Sequence, residues 1–370
     1  MYHSISRQPG KLHLSPELLE EQCRCLKEHG WRGISLAEAE DCLVRGKRLP
    51  RKACLLSFDD GYLDNYVYAE PILRAYGHCG VIFPVLKLVA RHRDLLPNAE
   101  DLAEHPEREA ELGDVHSPRN VLRSGYRVRD IRFCGWNELR RMRERGVMEP
   151  VPHSLDHSRV VSSLNFTDFY KRQGTWGYFA VTPYRPPWGM PLFPTDYSLA
   201  TRAYIPSEAL FALVRDMVPQ NQREARAFLG NQAHRSALER AVRALPSLGR
   251  QETEEEFRAR LFAEFTICRE QFSARFGVEP LSFCWPWGAY CQESIEEAER
   301  AGFRLLFCTS QTAGRYRQAR PVLRVGVRFH TTPEMVLRKV RLFSWKPVAV
   351  AYEQQIRLFS QGAPWSKIRT

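Results

Sequence analysis

Three short stretches combine residue types that can carry out hydrolysis. The first, Ser57-Phe58-Asp59-Asp60-Gly61, closes the apolar run ACLLSFDDGY with two adjacent carboxylates. Two such charges at a strand end repel unless one meets a cation or carries a proton. The same pair also suits a plain strand-to-helix turn with Asp60 as the cap. The second, His153-Ser154-Leu155-Asp156-His157, sets two histidines four residues apart, close enough to face one divalent ion. Two solvated histidines would show the same spacing. Joined to the aspartates, the pair becomes a constellation: Asp, His and His give three ligands and leave one position for water, the arrangement of a catalytic metal. The third, Ser282-Phe283-Cys284-Trp285-Pro286-Trp287-Gly288-Ala289-Tyr290, contains a proline–aromatic–glycine turn. It can offer a backbone N–H and an aromatic wall, or simply plug a core.

All three stretches fall at the ends of expected strands, where α/β folds gather their active sites. Ser15-Pro16-Glu17 starts a capped helix, LLEEQCRCLKEHG, that stops at Gly30, and GISLAEAEDCL supplies a short strand and a second capped helix. The apolar run into Asp59-Asp60 reads as a buried strand, DNYVYAEPILRAYG as a helix and CGVIFPVLKLV as the next strand. Residues 92–130 are polar and poor in periodic apolar positions and read as an insertion. CGWNELRRMRERG resumes the pattern as a helix. Residues 164–251 interrupt it again, beginning as aromatic and proline-rich loop and ending in arginine-rich helices. From Glu252 a long helix, the strand LSFCWPWG, the helix QESIEEAERAGF and the strand RLLFCTS restore it. The expected fold is α/β, a barrel or a doubly wound sheet.

The 370 residues can bury a large core, and 44% hydrophobic with 26% charged residues describes an ordinary globular protein. No apolar run approaches the ~18 residues that cross a bilayer, and no signal peptide is evident, so the chain reads as cytoplasmic as written. A chain starting inside an apparent strand raises the expectation of missing upstream residues. The ten cysteines form no zinc-ribbon pairs and read as reduced, mostly buried fillers. The net charge of +11 is spread along the chain with no nucleic-acid motif. It reads as a solvated basic surface, with attraction to phosphate-bearing substrates or anionic lipid as the second reading.

In this order, SFDDGY, HSLDH and FCWPWGAY resemble the motifs of the polysaccharide deacetylases (the NodB-homology domain, carbohydrate esterase family four), and IEEAERAGFRLLF is similar to the family as well. The resemblance covers roughly residues 1–91, 131–160 and 252–330. It implies a distorted (β/α) barrel of about seven strands over residues 1–345, interrupted at 92–130 and 164–251 and followed by a tail at 346–370. It also implies metal-dependent removal of an N-acetyl group from an amino sugar or glycan, with release of acetate. Carried over by motif position, Asp59 is the general base and Asp60, His153 and His157 hold one divalent ion, zinc first, with cobalt, nickel or iron also fitting. The backbone N–H of Trp287 occupies the position of the oxyanion donor.

The pattern is not complete. The family's late Leu-x-His acid is absent, and His330 in VGVRFHTT does not match it. A subgroup resembling the poly-N-acetylglucosamine deacetylases takes this histidine from a Tyr-His segment on the first strand, which Tyr2-His3 fits, so the general acid is assigned to His3. The third motif lacks its usual arginine, and Arg324 in VLRVGV is the substitute proposed to orient Asp59. A proline often follows the second metal histidine, where this chain has Ser158. Arg185-Pro186-Pro187-Trp188-Gly189 imitates the third motif but lacks a helix or buried strand on either side. It is read as insertion loop, with Trp188 as a groove wall. Tyr62, Trp285 and Trp188 are the expected substrate contacts. The alternatives are an amidohydrolase acting on a small or on a nucleotide-, phosphate- or lipid-linked acylated amine, with peripheral membrane contact, and an inactive glycan-binding module.

Overall fold

The computed structural model describes residues 1–7, 10, 12–113, 133–171, 186–309, 322–345 and 347–349. The expected tail at 346–370 therefore lies almost wholly outside the described residues, as do 114–130 of the first expected insertion and 172–185 of the second. The chain divides into two compact units. The first takes the described residues of Met1–Val121, Arg127–Asp156 and Glu264–Thr370, and the second those of His157–Ala263.

The first unit is built on parallel strands, which we number β1 (Ser4–Ile5), β2 (Leu56–Asp60), β3 (Gly80–Pro84), β4 (Met148–Pro150), β5 (Ser282–Cys284), β6 (Leu305–Thr309) and β7 (Val322–Arg324). Two three-stranded parallel sheets, β2-β3-β4 and β5-β6-β7, account for most of the pairing. A few backbone contacts join them. Tyr2 bridges Phe58 just ahead of β1, the Cys284 N–H donates to Pro152 O beyond β4, and the Val327 N–H donates to Met1 O beyond β7. The hydrogen bonds thus run a closed circuit through seven strand segments, as expected for a barrel of about seven strands.

Alternation along the strands separates two faces. On β3, Val81 and Phe83 join Val151, Cys284 and Phe307 in one buried cluster, while Ile82 belongs to a larger cluster with Leu19, Leu73, Leu139 and Met142 from the helices. On β2, Leu56 and Phe58 go to the helix side, which leaves Ser57 and Asp59 on the opposite face. Helix caps follow the sequence closely. The Ser15 side chain accepts from the Leu18 N–H ahead of Pro16–Glu28, and Ser35 with Glu38 forms a reciprocal box before Leu36–Leu43. The expected helix at 64–77 instead opens with a π-helical turn, Asn65–Ala69, before Glu70–Tyr76 and the left-handed Gly77. Within the expected insertion at 92–130, Leu96 and Leu112 reach the first unit's core.

The second unit pairs strands Arg159–Val161 with Thr195–Tyr197 and Tyr204–Pro206 with Gly249–Gln251, both antiparallel. Helices Glu208–Met217, Gln222–Gly230 and Gln232–Arg243 bury Leu210, Val214, Leu229, Leu238 and Val242 in its own core. No helix among the described residues is long and apolar enough to cross a membrane.

Candidate active site

The C-terminal end of β2 sends its two carboxylates to different partners. Asp59 continues the strand and is 4% exposed. Arg324, at the end of β7, grips it with both arms of its guanidinium: Nη1 donates to Oδ1 at 2.5 Å and Nη2 to Oδ2 at 3.0 Å. Nη1 also reaches Ser57 Oγ at 3.3 Å, Nη2 meets Cys284 Sγ at 2.9 Å, and the guanidinium lies 4.9 Å over the Phe83 ring. Burial alone would raise the Asp59 carboxyl. The charges of Arg324, His3 and His153 and the hydrogen bond from Arg324 outweigh it and hold the group well below the usual carboxylate range. The fork geometry suits Arg and not Lys, since two parallel bonds to one carboxylate need a planar donor.

Asp60 breaks from the strand with φ of 71°, and this turn redirects its carboxylate. Asp60 Oδ1 lies 3.7 Å from His153 Nε2. Asp60, His153 and His157 each offer a ligand atom, all within 4.8 Å of one another. His153 and His157 share one loop. The loop is fixed from several sides. The His153 N–H donates to Pro84 O, the Leu86 and Lys87 amides donate to Ser154 O and Leu155 O, and Lys87 Nζ donates to Asp156 at 2.9 Å.

This set fits a divalent ion. His153 Nδ1 donates to the Cys284 carbonyl at 2.9 Å, because a carbonyl can only accept, and this leaves Nε2 with its lone pair on the Asp60 side. A second trio, Asp59, His153 and Cys284, is equally compact but chemically unsuited. Burial pushes the Cys284 thiol well up, so it keeps its proton, and Asp59 is already engaged by Arg324.

His3 stands across from Asp59, with Nε2 4.0 Å from Oδ2. It is delivered by the chain's first residues: the Tyr2 N–H donates to Ser57 O at 2.7 Å and the Asp59 N–H to Tyr2 O at 2.9 Å. Tyr2 stacks on Phe58 with ring centroids 5.0 Å apart. His330 lies exposed on the surface. Trp287 sits in the turn Pro286–Gly288 with φ of 59° and is 44% exposed. Among the described residues only five non-glycine residues have positive φ, and Asp60, Ser154, His157 and Trp287 are four of them. Such conformations are costly for residues with a Cβ, and they concentrate here in the three motifs.

Two expected substrate contacts need correction. Trp285 is wholly buried, packed edge-on by Phe265 and Phe283 with Tyr290 beside it, so no ring face is presented to a ligand. Trp188 is 5% exposed and fills the second unit's core beside Tyr170. Both are core residues because a bulky ring flanking a Pro-Gly turn packs as readily as it binds sugar. Tyr62 is half-buried and stacks on Phe133 with centroids 5.2 Å apart. Sequence reasoning missed Cys284. Its carbonyl orients His153 while its thiol meets Arg324, and nothing in the letters FCWPWG distinguishes it from filler.

The polysaccharide deacetylase family model matches residues 46–174. A Bacillus subtilis protein, YxkH, named as a polysaccharide deacetylase, is 33% identical over 106 residues, covering 28% of this chain and 38% of its own. The poly-beta-1,6-N-acetyl-D-glucosamine N-deacetylase of Escherichia coli K12 is 42% identical over 67 residues, 18% of this chain and 10% of its own. The chain thus matches well under half the length of these relatives. A solved de-N-acetylase from Aggregatibacter actinomycetemcomitans superposes over 91% of this chain and 97% of its own, with a TM-score of 0.54 at 19% identity, a likeness of fold. SFDDGY and HSLDH both lie inside the segment that is similar to the polysaccharide deacetylase family.

Proposed function

We propose that this chain hydrolyses the N-acetyl group of an N-acetylated amino sugar within a glycan, releasing acetate and leaving the free amine. The observation that carries the reading is the division of labour between neighbouring carboxylates, Asp59 clamped by Arg324 and Asp60 turned toward two histidines. A glycan-binding module has no use for a buried, ionised carboxylate held apart from the ligand cluster. The relatives named above, one of them a poly-N-acetylglucosamine deacetylase, support N-acetylglucosamine units as the substrate class.

Asp60, His153 and His157 would hold the ion, zinc being the first choice for an N/N/O set. A divalent ion bound there would supply Lewis-acid polarisation of the acetamide carbonyl and make water more acidic. Asp59, kept ionised by Arg324, accepts the proton from the attacking water as the C–O bond forms. The N–H of Trp287 donates to the oxygen on which negative charge develops. His3 gives its proton to the nitrogen as the C–N bond breaks, so the amine departs neutral. Arg324 does not touch substrate in this scheme. It fixes the orientation and charge of Asp59.

Metal analysis with acetate release from N-acetylglucosamine oligomers tests the reading. Zinc-loaded protein should release acetate, chelation should abolish the release, and Asp59→Asn should lose about 10³-fold or more in kcat with metal content unchanged. Protein that binds neither metal nor produces acetate, yet still retains the oligomer, would leave only the binding-module alternative.

A further inference from the structure

A cavity of about 740 Å³ lies in the first unit between the segment after β3, the start of helix Trp136–Glu144 and the C-terminal part of helix Glu254–Phe276. Its volume falls in the range of small-molecule sites. Its wall carries Lys87, Arg91, His92, Arg93 and Arg275, and among the described residues no aspartate or glutamate lines it. Lys87 is engaged by Asp156. Arg91, Arg93 and Arg275 have no carboxylate partner among the described residues, Arg275 lying instead 5.1 Å over the Trp136 ring.

His92, between the two arginines, is not a surface residue. Its side chain is 4% exposed, and Nε2 donates to Glu138 at 2.7 Å. Glu138 is itself fully buried and also accepts the amides of Leu96 and Gly135. The pair leaves no room for a side chain at position 135, since a Cβ there would come within 2.7 Å of His92 Nε2 and 2.8 Å of Glu138 Oε2. With Nε2 committed to Glu138, the imidazole's other nitrogen, Nδ1, is buried and has no hydrogen-bond partner among the described residues. An unmet polar atom in a rigidly held ring, in a wall that also carries three guanidinium groups without a carboxylate partner among the described residues, needs an explanation.

We propose that this cavity binds a phosphate group carried on a sugar-sized molecule. Guanidinium forks match phosphate oxygens, and the space beyond them accommodates more than the anion alone. The site is distinct from the Asp60–His153–His157 set and does not depend on the hydrolytic reading.

Calorimetry on the full chain with inorganic phosphate, glucose 6-phosphate and glucose tests this. The two phosphates should bind saturably and glucose should not. Arg91→Ala/Arg93→Ala should weaken phosphate at least about tenfold and leave acetate release from neutral oligomers unchanged. Arg275→Gln provides a separate variant on an exposed helix position. Absence of phosphate binding by the unaltered protein overturns the proposal. So does equal affinity in both variants, which would place the anion elsewhere, for instance at a bound metal.

Discussion

The turns Pro286–Gly288 and 187–189 spell the same three residues, Pro-Trp-Gly, yet Trp287 is 44% exposed with φ of 59° while Trp188 is 5% exposed and packed beside Tyr170. The difference lies in what precedes each turn. The first follows β5, whose parallel pairing with β6 carries the chain straight to the strand end, where Trp285 takes the core position and Trp287 emerges. The second is entered, among the described residues, by no strand. Its backbone is tied down by Gln220, whose Oε1 accepts the Trp188 N–H at 2.9 Å. That N–H is already used within the fold and is unsuited to meet a developing oxyanion. A three-letter motif therefore acquires meaning only from the element that delivers it.

Substitutions can break or sharpen this contrast, beginning with the largest effect. Trp188→Ala should cost about 3–5 kcal/mol of stability, as expected for an emptied aromatic core site, without altering turnover per folded molecule. Denaturant melts combined with active-site titration would show this, and a large rise in KM with unchanged stability would restore the groove-wall role. Arg324→Gln should lower kcat about 100-fold, near 2.7 kcal/mol, with KM little changed. Its pH profile gives the more discriminating signal. In the unaltered protein Asp59 is depressed and stays ionised into acid. Without the guanidinium, burial is left to raise its carboxyl, so activity should fail at higher pH as the medium is acidified. An unmoved acid limb would mean that Arg324 does not govern Asp59. Cys284→Ala removes the thiol contacts with Arg324 and the Trp285 carbonyl and keeps the carbonyl bond to His153, so a loss of about tenfold in kcat with full metal content is expected. The smallest change belongs to Trp287→Gly, which retains the N–H, relieves the positive φ and should stabilise the fold by up to about 1 kcal/mol. A marked loss of turnover in that variant would reassign the catalytic contribution from the backbone to the indole.

Much of this was legible in the letters. ACLLSFDDGY ends in adjacent acids because a buried strand runs into a turn, and the strand, the turn and the separated carboxylates all follow. Tyr2-His3 was legible only through its resemblance to the Tyr-His segment of one subgroup, and the fold sets His3 4.0 Å from Asp59. The indole positions were not, since burial and sugar contact ask for the same side chain. Cys284 was opaque for a different reason: half of its contribution is a backbone carbonyl, which every residue possesses. The His92–Glu138 pair escaped notice inside a polar stretch without periodicity, where only the lack of room for a Cβ at Gly135 records its presence.

The two hydrogen bonds between Tyr2 and β2 have one further meaning. Side chains alternate across a strand with a period of two, so a slip of one residue in this pairing would swing His3 away from Asp59 and bring Tyr2 or Ser4 round in its place. The register acts as a ruler. Tyr2, stacked on Phe58 and bonded through its hydroxyl to Gln22, is the mark that sets it. Proton delivery here is accordingly a property of alignment as much as of residue type, and the spacing of the first four residues matters as much as the imidazole they carry.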